Sequence, residues 1–271
     1  MPKTLASELV KHRFSNGQLA KILRVADGTD YEKALSTVGL YRPTSTLLVI
    51  GGASHMTQES QAKLIQFFNG PLATLSEKLD ITVLDGGTDA GVTHMMGHAR
   101  HYISGQFNLV GVAPLRRIIF PGKHQPKLLD NIDPQLTEEY DKDCPPVELE
   151  PHHTHFFLVS GYKWGSESRW LAEFSSVLAG YNPSMTLLIN GGQVSLMDLK
   201  LNLELGRKVI IVAGSGRLAD TVANTISGVN PDNETIQHLV KTYYPSQLSV
   251  FDLLATSLDD LRDQLSMYFN C

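Results

Sequence analysis

Leu47-Leu48-Val49-Ile50-Gly51-Gly52 sets the reading of the chain: a short apolar run that stops on paired glycines. The pattern returns as Ile81-Thr82-Val83-Leu84-Asp85-Gly86-Gly87 and as Leu187-Leu188-Ile189-Asn190-Gly191-Gly192. A fourth run, Val209-Ile210-Ile211-Val212, ends on Gly214-Ser215-Gly216. A strand that ends in glycine and leads into a helix presents bare backbone N–H groups and a helix N-terminus at one point, a geometry that holds phosphate or another anion. Four such turns in one parallel sheet open on the same edge, where open α/β folds bind ligands. A nucleotide-like ligand is the first expectation.

Composition narrows the alternatives. The 271 residues carry 42% hydrophobic and 19% charged side chains, ordinary for a globular chain able to bury a large core. A net charge of −5 argues against a nucleic-acid surface. The basic doublet Arg116-Arg117 is too small for a groove but large enough for one anionic ligand. Cys144 and Cys271 imply neither a disulfide framework nor a metal site. With no apolar run near the length of a membrane span and no signal-like start, no membrane association and a cytoplasmic location are expected.

Alternation of strand and helix across residues 46–227 predicts a doubly wound α/β fold, a mainly parallel sheet with helices on both faces. The expected domain is a single unit, 1–271, with its core at about 20–227 and helical additions at both ends. Leu5–Val10 reads as a short helix, Leu19–Val25 as a strand and Tyr31–Leu40 as a helix. Gln58–Phe68 and Leu72–Leu79 read as helices separated by Asn69-Gly70-Pro71. Prolines and acids across 121–151 mark a long surface excursion, and such loops are often functional lids. The last forty residues look helical throughout, including the segment around Val250–Leu254, and their apolar residues allow a homodimer.

Among local motifs, Asp85-Gly86-Gly87-Thr88-Asp89-Ala90-Gly91-Val92 is the strongest, with Thr88 or Asp89 available to cap the following helix. In Gly214-Ser215-Gly216-Arg217-Leu218-Ala219-Asp220, Arg217 either offers its fork to a phosphate or pairs with Asp220 along the helix. Trp164 either stacks on a base or is simply buried, and Glu167 either accepts from ribose hydroxyls or steadies the first helical turn. His152, His153 and His155 read as a hydrogen-bonded strand entry, and His94, His98 and His101 as a solvated or core-satisfied helix face. No metal is expected, since neither set completes a tetrahedral ligand pattern.

Taken in order, Gly51-Gly52, Leu84 through Val92, Val110-Gly111-Val112-Ala113-Pro114, His153 through Val159, Lys163-Trp164-Gly165-Ser166-Glu167 and Gly214 through Asp220 resemble the N-terminal cytosolic domain of the melastatin-type TRP channels (TRPM). That domain is a branch of the SLOG superfamily, and the likeness is to its free-standing prokaryotic form (LSDAT). The resemblance implies a Rossmann-like fold that binds nucleotide-derived ligands, ADP-ribose in one channel of the group, as a ligand sensor. Carried over by position, Gly51, Gly52, Gly86, Gly87, Thr88, Gly191, Gly192, Gly214, Ser215, Gly216 and Arg217 would form the anion-binding edge. Trp164 and Glu167 would address base or sugar. No resident cofactor is required.

The enzymatic relatives imply an alternative, a nucleotide N-glycosidase (phosphoribohydrolase-like). Their Pro-Gly-Gly-x-Gly-Thr-x-x-Glu motif would correspond to Asn190-Gly191-Gly192-Gln193-Val194-Ser195-Leu196-Met197-Asp198, with Asp198 supporting the developing positive charge on the ribose. Here Asn replaces Pro, Val replaces the third Gly, Ser replaces Thr, and Asp is one methylene shorter than Glu, which disfavours catalysis. A structural assembly module is a third reading, and it leaves the glycine-ended strands without a use.

Overall fold

The computed structural model describes residues 9–119, 146–229 and 232–270. Strands β1 (Leu9–Arg13) and β2 (Leu19–Val25) precede helix α1 (Tyr31–Val38). The alternating region then runs β3 (Thr46–Gly51), α2 (Gln58–Phe67), α3 (Ala73–Lys78), β4 (Thr82–Asp85), α4 (Gly91–Tyr102) and β5 (Leu109–Pro114). A small parallel pair, β6 (Ile118–Ile119) and β7 (Val147–Glu148), leads to β8 (His155–Val159), α5 (Ser168–Ala179), β9 (Ser184–Ile189) and α6 (Gln193–Glu204). The chain closes with β10 (Lys208–Ala213), α7 (Arg217–Ile226), α8 (Glu234–Tyr243), β11 (Leu248–Asp252) and α9 (Leu258–Phe269).

Nine strands form one sheet in the order β1-β2-β8-β5-β4-β3-β9-β10-β11, parallel throughout except for the β1–β2 pair. Both faces are covered, which is why β3, β9 and β10 read as continuous apolar runs. Leu48, Ile50, Leu188, Val209 and Ile211 point to a core shared with α1, α5, α6, α7 and α8. Their neighbours Leu47, Val49, Leu187, Ile189, Ile210 and Val212 point to a second core under α2, α3, α4 and α9. A satellite cluster packs Phe14, Ile22, Leu115, Leu149 and Phe156 near the β1–β2 end.

From β3 the chain steps outward through β4 and β5 to β8, then returns to β9 on the opposite side of β3 and continues to β10 and β11. Consecutive strands thus leave β3 and β9 in opposite directions, and a crevice opens at their carboxyl ends. Gly51 makes the contact of the two strands possible there. It pairs with Ile189, has φ +141°, and an added Cβ would stand 1.8 Å from the Ile189 carbonyl oxygen. Next to it the Gly52 N–H donates to that same oxygen at 3.1 Å.

The ends of the chain differ from expectation. Leu9 and Val10 belong to a strand; the rest of the expected helix at Leu5–Val10 lies outside the described residues. Residues 9–13 alternate in exposure and turn back through Gly17 onto β2, a pairing that the local apolar spacing does not reveal. Around Val250 the expected helix is a strand too, with Val212 opposite Phe251, so the C-terminal addition covers the β10 edge. The helical path also continues through Asn69-Gly70-Pro71 as a π-turn over Phe68–Leu72, whose wider hydrogen-bond ring tolerates the missing N–H of Pro71. Most of the excursion at 121–151 lies outside the described residues.

Adjacent glycines at the crevice should behave oppositely. Gly51→Ala should cost roughly 2–4 kcal/mol, the usual range for a severe backbone clash. Gly52→Ala should leave the urea midpoint nearly unchanged, because a Cβ there meets nothing within 4 Å. Equal midpoints for the two variants would contradict the assignment.

Candidate ligand-binding site

A cavity of 280 Å³ occupies the crevice. Its floor is the end of β3, Val49 through Ser54, and Gly86 and Thr88 after β4. Ala90, Gly91 and Thr93 enter from the start of α4, Val194, Ser195 and Asp198 from the start of α6, and Trp164, Glu167 and Leu171 from the turn into α5 and its first residues. Three helices therefore begin at the cavity, and their N-cap residues Ala90, Glu167 and Gly192 make no side-chain bond to the first helical amides, while the Ser195 hydroxyl reaches back to the Gly192 N–H and the Glu167 carboxylate accepts from the Gly165 N–H. Uncapped N–H groups and the positive ends of helix dipoles favour an anionic guest.

The β4 turn is held from below. Asp85 accepts from the Gly87 N–H at 2.7 Å and from His153 Nε2 at 2.9 Å, while His153 Nδ1 meets Glu150 Oε2 at 2.8 Å. All three side chains are buried. Burial opposes the imidazolium, but Asp85 and Glu150 overcome it and push His153 up to about 9. Burial likewise opposes the Glu150 carboxylate, yet bonds from His152 and His153 bring it down to about 2. The Glu150 N–H also donates to the Gly87 carbonyl and the Asp89 N–H to that of Glu148. Neither Thr88 nor Asp89 caps α4 as expected: the Thr88 carbonyl accepts from the Thr93 hydroxyl, and Asp89 pairs with His94.

Two carboxylates face the cavity from a dry environment. Burial pushes Asp198 up to about 7, against a smaller opposing effect from the Ser168 hydroxyl. Burial also pushes Glu167 up to about 7; the Asp198 charge adds to this, while Glu167's own N–H and the Gly165 N–H, 2.8 Å from its carboxylate, oppose it. Near neutrality both groups can hold or release a proton, the property required of an acid or base. Trp164 is half-buried at the rim and packs partly on the Phe14 cluster.

The sequence matches the family described as SLOG in TRPM, prokaryote, over residues 44–259, from just before β3 into α9. The chain belongs to this SLOG family. It is 22% identical over 274 residues to the transient receptor potential cation channel subfamily M member-like 2 of Nematostella vectensis, covering 89% of the chain and 17% of the channel protein. The chain thus spans under a fifth of that relative's length. Among solved structures, that of the structural-genomics target TM1055 superposes with a TM-score of 0.49 at 16% identity, over 82% of this chain and 99% of that one. No helix among the described residues is long and apolar enough to cross a membrane.

Within this SLOG domain the expected site residues fall into two groups. Gly51, Gly52, Gly86, Thr88, Trp164, Glu167 and Asp198 share the cavity. Gly87 is instead packed back-to-back with Gly111, where a Cβ would come within 2.7 Å of the Gly111 Cα. Gly191, Gly192, Gly214, Ser215, Gly216 and Arg217 form a second turn cluster beside the cavity, centred on Asn190. The buried Asn190 side chain donates to the carbonyls of Ser215 at 2.8 Å and Ser54 at 3.1 Å. Arg217 is exposed, with Nη2 beside Gly192, where a Cβ would stand 2.6 Å away. The alternative Arg217–Asp220 pair is replaced: Asp220 accepts from the Gly214 N–H at 2.7 Å and closes the loop. Arg117 is buried and donates to the Tyr162 carbonyl, and Arg116 lies over the Tyr162 ring.

Sequence reasoning missed Ser54, Thr93 and Leu171 in the cavity wall, and it met Asn190, Val194 and Ser195 only as departures from the enzymatic motif. Only Asn190 left a signal, as a polar residue tolerant of left-handed backbone between a strand and two glycines; its φ is +55°.

The raised carboxylates fix a sign for pH dependence. Folded Asp198 holds its proton more tightly than unfolded Asp198. Its stabilising effect is therefore complete below its ordinary 3.8 and is lost as pH rises through about 7. His155, pushed down to about 4 by burial, acts oppositely below its ordinary 6.5, so the parent's own curve is a composite. Asp198→Asn isolates the effect: its urea midpoint should gain on the parent's between about pH 4 and about pH 7. Parallel curves would refute the buried-acid assignment.

Proposed function

We propose that the cavity binds the phosphate-bearing part of a nucleotide-derived ligand and that the domain works as a binding or sensing module. The observation that supports this most is the convergence of three helix starts, α4 without any capping side chain, on one crevice at the topological switch point. Phosphate would lie in the open space over the Gly52 Cα and against the starts of α4 and α6, with Trp164 over a base and Glu167 and Asp198 accepting from or donating to ribose hydroxyls. A cavity of 280 Å³ is at the low end of ordinary ligand sites, about 300–1,000 Å³, and suits one nucleoside monophosphate unit. The remainder of a larger ligand such as ADP-ribose would extend toward Arg217.

A second reading, N-glycosidic cleavage, is favoured by the carboxylates alone. Two acids near neutrality in one dry cavity could protonate a leaving base and steady a developing ribosyl cation.

Calorimetry with AMP, ADP-ribose, cyclic ADP-ribose and NAD at millimolar concentration tests the first reading. Binding of at least one should weaken on the order of tenfold in Gly52→Ala, a loss of about 1.4 kcal/mol. Silence from all four would remove it. Release of ribose 5-phosphate from nucleoside monophosphates, lost in Asp198→Ala while binding persists, would establish the second.

A further inference from the structure

Outside the cavity, the fold assembles an imidazole cluster that the chain order conceals. His94, His98 and His101 lie along α4, and the segment after β7 lays His152 across them. The His98 and His152 rings are 5.2 Å apart, His94 and His98 4.2 Å, and His101 and His152 4.6 Å. Glu150 lies beneath, pressed so closely on α4 that a Cβ at Gly97 would fall 2.0 Å from its carboxyl. The carboxylate divides its two oxygens: Oε2 serves the buried His153, while Oε1 faces outward to His152 Nδ1 at 2.6 Å. One ligand atom from each of His98, Glu150 and His152 lies within 4.8 Å of the others.

We propose that His98, His152 and Glu150 hold a divalent transition-metal ion of the zinc type. Two imidazoles and a carboxylate are the donors such an ion takes, whereas magnesium and calcium call for oxygen alone. His152 is held by its bond to Glu150, and His94 is held beside the trio. Asp89 fixes His94 Nδ1 at 2.5 Å, a carboxylate-to-imidazole bond of the kind that orients metal ligands. On binding, the ion takes the place of the Glu150–His152 hydrogen bond, whose proton leaves to solvent, and the ligands, now up to 4.8 Å apart, contract around it. The ion would pin the 148–153 segment to α4 and act as a structural clip rather than a reaction centre.

The test uses the full, untagged chain stripped with chelator and titrated with zinc chloride by calorimetry. One equivalent should bind, and His98→Ala and His152→Ala should each lower the affinity on the order of 100-fold. His238→Ala, on an exposed face of α8, should leave it unchanged. Zinc should also raise the melting temperature of the parent and not of His98→Ala, a surface variant expected to keep its far-ultraviolet circular dichroism. No binding by the parent, or affinity retained in both His98→Ala and His152→Ala, would overturn the proposal.

Discussion

Everything at the candidate site follows from two strands meeting with nothing between them. β3 and β9 are neighbours because Gly51 lets the backbones close at the Ile189 carbonyl, and that oxygen also receives the Gly52 N–H. Since the strands that follow each of them go to opposite sides, the helices after β3 and β9 cannot both cover the strand ends. The resulting gap is bounded by three helix starts together with the side chains of Trp164, Leu171 and Val194. Its polarity is thus a product of topology: amides and dipole ends point inward whatever residues decorate the rim.

The two buried carboxylates stand against that positive background. A pair of ionised acids would cancel what the helix termini provide for an anion, and burial keeps them partly protonated instead. A neutral acid can donate to a phosphate or a ribose where a carboxylate would repel it. Below, the opposite solution applies. His153 is kept charged between Asp85 and Glu150, and the ionic group serves the backbone of the β4 turn without reaching the cavity.

Much of the architecture was legible in the sequence because parallel strands buried on both faces carry continuous apolar runs, as in Leu47–Ile50 and Val209–Val212. β1 and β11 were not, because edge strands of five residues have weak alternation and gain their identity from partners far along the chain. The site divides on the same principle. Gly51 ends β3, Gly86 follows β4 and Asp198 lies in the helix after β9, and β4 and β9 flank β3 in the sheet. The Gly214 turn lies one strand farther out, and successive strands add about 4.8 Å each. Glycine-ended strands announce themselves locally; their lateral order does not. Protonation states are equally hidden, since burial sets them, and the meeting of His98 with His152 required the segment after β7 to be placed.

Asn190 carries a consequence for how this chain relates to enzymes whose corresponding motif begins with proline. Its backbone is left-handed at φ +55°, and its N–H donates to Ser215 Oγ at 2.7 Å. A proline ring is locked near φ −65° and has no N–H to give. A proline at this position could therefore not make the turn found here. In this chain that residue is a hinge pin between two crossovers, and what it anchors is the loop that carries Arg217.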